Sequence, residues 1–173
     1  MKPVSMRPYL LVILLFLLIC LICGCGGPKD LKVGDTSPPF QLEAFSGPSL
    51  YFKPRAKRIR LLYFWADWCP RCVEDFQIMD RLYRKWQKDP NSPVLIAVNV
   101  GQSKKHVSNF LRRTVGAFPI WMDKDSLIAR MYNVKVLPTI FLVDSLGKIR
   151  NIIPGWIDES TVVKMTAEIE SGS

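Results

Sequence analysis

The sequence predicts an α/β fold, a mixed sheet flanked by helices and carrying an N-terminal β extension. Three observations lead there. Apolar runs of strand length alternate with stretches of helical periodicity along most of the chain. The last two apolar runs follow each other across only a short turn, which makes the end of the sheet an antiparallel hairpin. The chain has 173 residues, 49% of them apolar, enough for one domain with a core. The same composition excludes disorder, and 13 prolines and 10 glycines without a period exclude a collagen-like or low-complexity chain.

The elements follow in order. An extended pair is expected over Phe40–Phe52, then a core strand Ile59–Trp65, whose β-rich apolar residues are bounded by charge on one side and Ala66-Asp67 on the other. Phe76, Met79, Leu82, Tyr83 and Trp86 recur at helical spacing and predict a helix over Pro70–Lys88. Met79, Tyr83 and Trp86 are core residues on this reading. A strand Val94–Val100, a helix Ser103–Val115 and a short strand Pro119–Met122 come next. A short helix Ser126–Tyr132 leads to strands Thr139–Val143 and Ile149–Ile153, and a helix Asp158–Glu170 closes the chain.

The first 25 residues differ in kind. Lys2 and Arg7 precede an apolar run from Leu10 to Cys23, 14 residues long, followed by Gly24-Cys25-Gly26-Gly27-Pro28. A membrane span needs about 20 apolar residues, so this run fits the core of a secretory signal better than a span. Ile22-Cys23-Gly24-Cys25 resembles a bacterial lipoprotein signal, with an aliphatic residue three before the cysteine and a small one directly before it. The resemblance implies that residues 1–24 are removed, that Cys25 carries lipid, and that 25–32 form a tether to a domain of 33–173. An uncleaved signal anchor is the alternative. Export to a lipid-anchored, extracytoplasmic position is the expectation.

The cysteines then count differently. Of five, Cys20 and Cys23 leave with the signal and Cys25 is lipidated, so Cys69 and Cys72 remain. One pair two residues apart does not staple a fold, even in a compartment where disulfides persist. It is there for chemistry. Cys69 falls where the strand hands over to the helix, and Pro70 suits the first helical position, where a missing N–H costs nothing. Unsatisfied N–H groups and the positive end of the helix dipole favour a thiolate at Cys69, and Arg71 adds positive charge. Cys69 is therefore expected to titrate below the free value of about 8.5 and to act as nucleophile, with Cys72, one turn further in, as the resolving thiol.

At these residues the chain is similar to the thioredoxin superfamily, and to its exported TlpA/ResA-like branch of membrane-tethered thiol-disulfide oxidoreductases. The likeness runs through Val33-Gly34-Asp35-Thr36-Ser37-Pro38-Pro39-Phe40, Phe64-Trp65-Ala66-Asp67-Trp68-Cys69-Pro70-Arg71-Cys72, Ala97-Val98-Asn99-Val100-Gly101, Val136-Leu137-Pro138-Thr139 and Gly155. It implies a thioredoxin-like fold, a redox-active Cys69–Cys72 disulfide with no other cofactor, and a cis Leu137–Pro138 bond facing the cysteines. A proline at the mouth of a strand also suits a cis bond on physical grounds. Leu137 would then offer its backbone to an extended substrate, with Trp68 and Thr139 beside it. The implied role is reduction of disulfides in exported proteins such as apocytochrome c, with electrons from a membrane thiol carrier.

Asp75 stands where this branch usually carries glutamate, so it is a candidate proton acceptor for Cys72. Equally, an acid in a first helical turn is favoured by the dipole alone. Asp67, two residues before Cys69, is expected to face water, since an inward carboxylate would oppose thiolate formation. Trp65 reads as core, and His106 as a solvated residue at a helix start.

Twenty-four Lys and Arg against 15 Asp and Glu give a formal charge of +9, with clusters at Lys53, Arg55, Lys57, Arg58 and Arg60 and along the later helices. A solvated surface explains these, and anionic headgroups are the alternative for an anchored domain. No nucleic-acid motif accompanies them. Two other functions compete. A peroxiredoxin shares the Val33–Leu42 segment but needs threonine where Ala66 stands. A copper or zinc chaperone suits two thiolates, but the spacing lacks the distant histidine and wider cysteine gap of copper-delivery relatives, so no metal ligands are assigned.

Overall fold

In the computed structural model, residues 30–156 and 158–172 are described. The expected signal, the lipidation site Cys25 and most of the tether lie outside them. The elements are β1 (Phe40–Ala44), β2 (Leu50–Phe52), β3 (Arg60–Trp65), α1 (Pro70–Trp86), β4 (Val94–Val100), α2 (Lys104–Leu111), β5 (Ile120–Asp123), α3 (Leu127–Met131), β6 (Thr139–Val143), β7 (Ile149–Pro154) and α4 (Glu159–Ser171). They form a seven-stranded mixed sheet in the order β2-β1-β5-β4-β3-β6-β7. β3, β4 and β5 are parallel, and β6 and β7 form the antiparallel hairpin. The N-terminal pair joins the other edge, with β1 antiparallel to β5.

β3 is the central strand. It pairs with β4 on one side and β6 on the other, from Arg60 against Val94 and Val143 onward. All six of its residues are buried, which explains why it reads as a continuous apolar run rather than an alternation. Leu61, Tyr63 and Trp65 point to the layer that holds α1, and Leu62 and Phe64 to the layer that holds α3. α1 lays Cys72, Phe76, Met79, Leu82 and Trp86 against the first layer, the periodic face the sequence shows, with Tyr83 at its margin.

Some placements differ from expectation. Arg60, grouped above with the surface cations, is buried inside β3. Its Nη2 donates to the Asp144 carbonyl at 3.1 Å and its guanidinium lies 5.5 Å from the Phe52 ring, while burial lowers its proton affinity. α2 ends at Leu111 rather than Val115, because its apolar face ends there and Val115 is exposed. At the other end, the described residues of the expected tether pack onto the domain. Leu31 is buried in the α3 layer and Asp30 accepts a hydrogen bond from Asn133 Nδ2 at 2.6 Å.

The β6–β7 turn requires glycine. Gly147 has φ +86°, and a Cβ there would sit 2.8 Å from the Pro54 carbonyl carbon. Gly155, just beyond β7, has φ +80° but open space around it. Gly147→Ala is expected to lower unfolding free energy by about 2–3 kcal/mol and Gly155→Ala by about 1 kcal/mol, the difference being the clash added to backbone strain. Urea unfolding of the two variants measures it, and equal losses would contradict the close approach of Pro54.

Candidate active site

The chain turns from β3 into α1 at Trp65-Ala66-Asp67-Trp68, and Cys69 is the residue that caps the helix. It has extended backbone, φ −88° and ψ 108°, and its sulfur accepts from the Cys72 N–H at 3.1 Å. Pro70 occupies the first helical position. A sulfur that accepts an N–H at the positive end of a 17-residue helix is stabilised as thiolate once the pair is reduced. Cys69 and Cys72 form a disulfide here. Cys69 keeps 4% of its surface and Cys72 none, so an incoming molecule meets Cys69 first.

The Leu137–Pro138 bond is cis. It brings the Leu137 carbonyl oxygen to 3.4 Å from Cys69 Sγ, an acceptor for the thiol of the reduced form. Pro138 is buried, and its own carbonyl accepts from the Gly155 N–H at 2.7 Å. Thr139, expected beside the substrate, turns inward. It is buried, and its hydroxyl donates to the Val136 carbonyl at 2.7 Å, tying the two ends of the cis-proline turn together. Trp68 is 66% exposed beside Cys69, whereas Trp65 is core, packed edge-on against Phe76 with ring centroids 5.1 Å apart.

Asp75 lies in the second turn of α1, not the first, so the helix dipole does not account for it. It is three residues from Cys72, which puts both on one helix face, and both are buried. Among the described residues its Oδ2 has no hydrogen-bond partner. Burial raises its pKa to about 6, with Arg71 pulling the other way and Glu74 adding to the rise. Tyr63, whose hydroxyl donates to the Cys72 carbonyl at 3.1 Å, is held well above its ordinary value by burial and by Asp75. A carboxyl that titrates near neutrality next to a buried thiol can exchange a proton with it.

Asp67 does not face water. It is half-buried, its carboxylate accepts from Gln102 Nε2, and its backbone N–H donates to Gln102 Oε1 at 2.9 Å. Asn99 Nδ2 donates to the same Gln102 oxygen at 2.9 Å. The β4–α2 loop thus clamps the segment leading into Cys69, because packing places Gln102 over it. Sequence reasoning missed Gln102 and the Asn99 beneath it: Gln102 meets Asp67, 35 residues away, and nothing local marks that pairing. It also missed Trp156, 58% exposed in the turn after β7, with the Arg71 guanidinium 5.6 Å from its ring centroid. His106 is exposed at the start of α2, its N–H bonded to the capping Ser103 hydroxyl, away from this chemistry. Among the described residues no group of three or more His, Cys, Asp or Glu is placed to hold a metal ion.

A dithiol pair at a strand-to-helix junction of a mixed sheet, faced by a cis proline, defines a thiol-disulfide oxidoreductase with a thioredoxin-like fold. The comparisons agree. Residues 33–152 match the AhpC/TSA family. The thiol-disulfide oxidoreductase ResA of Bacillus subtilis is 30% identical over 155 residues, covering 84% of this chain and 86% of the relative. ResA of Geobacillus thermodenitrificans is 34% identical over 132 residues, covering 76% and 75%. A Chlorobium tepidum structure assigned as the thiol:disulfide interchange protein DsbE superposes with a TM-score of 0.73 at 25% identity, covering 81% of this chain and 99% of that one. The chain belongs to the AhpC/TSA family, among its thioredoxin-like thiol-disulfide oxidoreductases of ResA type. Within that family, Ala66 provides no hydroxyl three residues before Cys69, and the reactive sulfur already has a partner in Cys72; both features favour disulfide exchange over peroxide reduction.

Proposed function

We propose that this chain works outside the cytoplasm, held to a bacterial membrane by lipid on Cys25, and reduces disulfides in exported proteins, apocytochrome c among them. The observation that carries the reading is the reachable Cys69 sulfur at a helix cap, with the Leu137 carbonyl 3.4 Å away and the buried Cys72 beneath it. In the reduced form the Cys69 thiolate attacks one sulfur of a substrate disulfide, and the other sulfur leaves as thiolate. An extended substrate segment aligns along the Leu137 backbone as an added strand, with Trp68 on the rim. Cys72 gives its proton to Asp75 and attacks Cys69 Sγ. The second substrate thiol leaves, and two electrons have passed to the substrate. A membrane thiol carrier restores the pair. The apolar run before Cys25, and a cysteine inventory reduced to one reactive pair, support the exported location.

Cys72→Ser tests this in cells. The variant keeps the attacking sulfur and lacks the one that releases it, so mixed disulfides with exported proteins should accumulate on non-reducing gels. Cys25→Ala should in parallel abolish incorporation of labelled fatty acid into the protein. Failure to trap any exported protein overturns the substrate assignment, and fatty-acid labelling that is absent from the wild type or persists in Cys25→Ala overturns the lipid anchor.

A further inference from the structure

We infer that Trp156 is a specificity-determining residue, a second aromatic wall of the substrate groove that selects polypeptide disulfides with a bulky apolar or aromatic residue beside the reacting cysteine. The inference deepens the proposed function and rests on its reading that the substrates are polypeptides.

Trp156 is a large apolar side chain that the core does not hold. Its indole is 58% exposed, and what positions it belongs to the redox site. Gly155, the residue before it, donates its N–H to the Pro138 carbonyl at 2.7 Å, so the turn carrying Trp156 is fastened to the cis-proline turn. Arg71, between the two cysteines, places its guanidinium 5.6 Å from the indole centroid, a cation–π distance, and is itself paired with Glu74. With its charge engaged by an indole and a carboxylate, Arg71 acts here as a strut between α1 and the β7–α4 turn.

The surroundings point the same way. Trp68, Val73, Val136 and Trp156 are all exposed, and they sit on the segment before Cys69, the first turn of α1, the cis-proline turn and the turn bonded to it. Exposed apolar side chains scattered singly need no explanation, but four of them on the segments that carry the reacting sulfur or are bonded to its surroundings mark a contact surface. The occupant follows from the reaction: whatever is reduced must bring a disulfide to Cys69, so the residues flanking that disulfide meet these segments. Indoles gain most from aromatic and bulky apolar partners, through offset or edge contacts beyond area burial alone. A small disulfide has no residue beside its sulfur to offer such a contact.

The test uses the full-length chain in detergent, reduced, against three oxidants: a peptide disulfide with phenylalanine beside the cysteine, the same peptide with alanine there, and 2-hydroxyethyl disulfide. Trp156→Ala should slow the second-order rate for the phenylalanine peptide about fivefold to tenfold, as loss of one aromatic contact implies, leave 2-hydroxyethyl disulfide within about twofold, and erase the preference between the peptides. Trp156→Phe should restore most of that preference, which a merely structural role would not. Equal slowing of all three oxidants, or no change in any, overturns the inference. The peptide ratio is read in vitro, so failure of the cellular trap would sink the exported-protein reading while leaving this result standing.

Discussion

Cys69→Ser should abolish disulfide exchange, by about four orders of magnitude or more as removal of a nucleophile does elsewhere, while leaving the reduced protein as stable as before. The two halves of that expectation come from different atoms. Serine is a better helix cap than cysteine, and its oxygen can take the Cys72 N–H that the sulfur now accepts at 3.1 Å. The helix start is therefore kept, and the fair reference is the reduced wild type, since the oxidised one also carries a cross-link. What is lost is the sulfur that an incoming disulfide meets. Cys72 cannot replace it, because it has no exposed surface and lies beneath the cap. Two measurements check this: stopped-flow oxidation by a peptide disulfide and urea unfolding under reducing conditions. Alkylation of the reduced wild type should likewise modify Cys69 well before Cys72. Residual exchange within tenfold of wild type in Cys69→Ser would place the nucleophile elsewhere. A stability loss of several kcal/mol would show that the sulfur is part of the packing rather than a cap.

The redox pair, its helix start and the cis-proline turn were legible because each is written in consecutive residues. Cys69-Pro70-Arg71-Cys72 carries its own helix-start signal, and Leu137-Pro138 stands at the mouth of an apolar strand. β4 and β6 have the boundaries the sequence predicts, since both are buried runs with a proline directly before them, Pro93 and Pro138. Residues whose meaning depends on distant packing were harder. Asp67 looks solvated until Gln102 folds over it. Arg60 counts as a surface cation until β6 brings the Asp144 carbonyl to it. Asp75 could be read either as a dipole-favoured acid or as a partner of Cys72, and its burial on the Cys72 face of α1, which tertiary packing decides, separates the two. Thr139 suited a groove by its position, yet its hydroxyl points inward. Trp156 left no periodic trace because it belongs to a turn.

Asp75→Asn should make the protein more stable at pH 8 and slower to release its substrate. In the folded chain Asp75 titrates near 6, raised by burial, against about 3.9 for an unfolded aspartate. Between those values the folded state binds more protons than the unfolded one, so stability falls as pH rises through that window and stays lower above it. The difference amounts to roughly 3 kcal/mol at about 1.4 kcal/mol per pKa unit. Asparagine has no charge to bury. The variant should therefore match wild type near pH 4 and exceed it by up to about 3 kcal/mol at pH 8, as read from urea unfolding of the oxidised forms at both pH values. A protein that keeps a buried charge at such a cost, with one carboxyl oxygen unpartnered among the described residues, is keeping it for something other than folding. Cys72 is one helical turn away and must lose a proton before it can attack Cys69. Removing a positioned base of matched acidity typically slows a step by about 10²-fold or more. Release of a preformed mixed disulfide should slow by that order at pH 7 in Asp75→Asn, and the deficit should shrink toward pH 9, where solvent takes the proton instead. A variant that gains stability but releases substrate at the wild-type rate across this range would show that Asp75 does not serve Cys72.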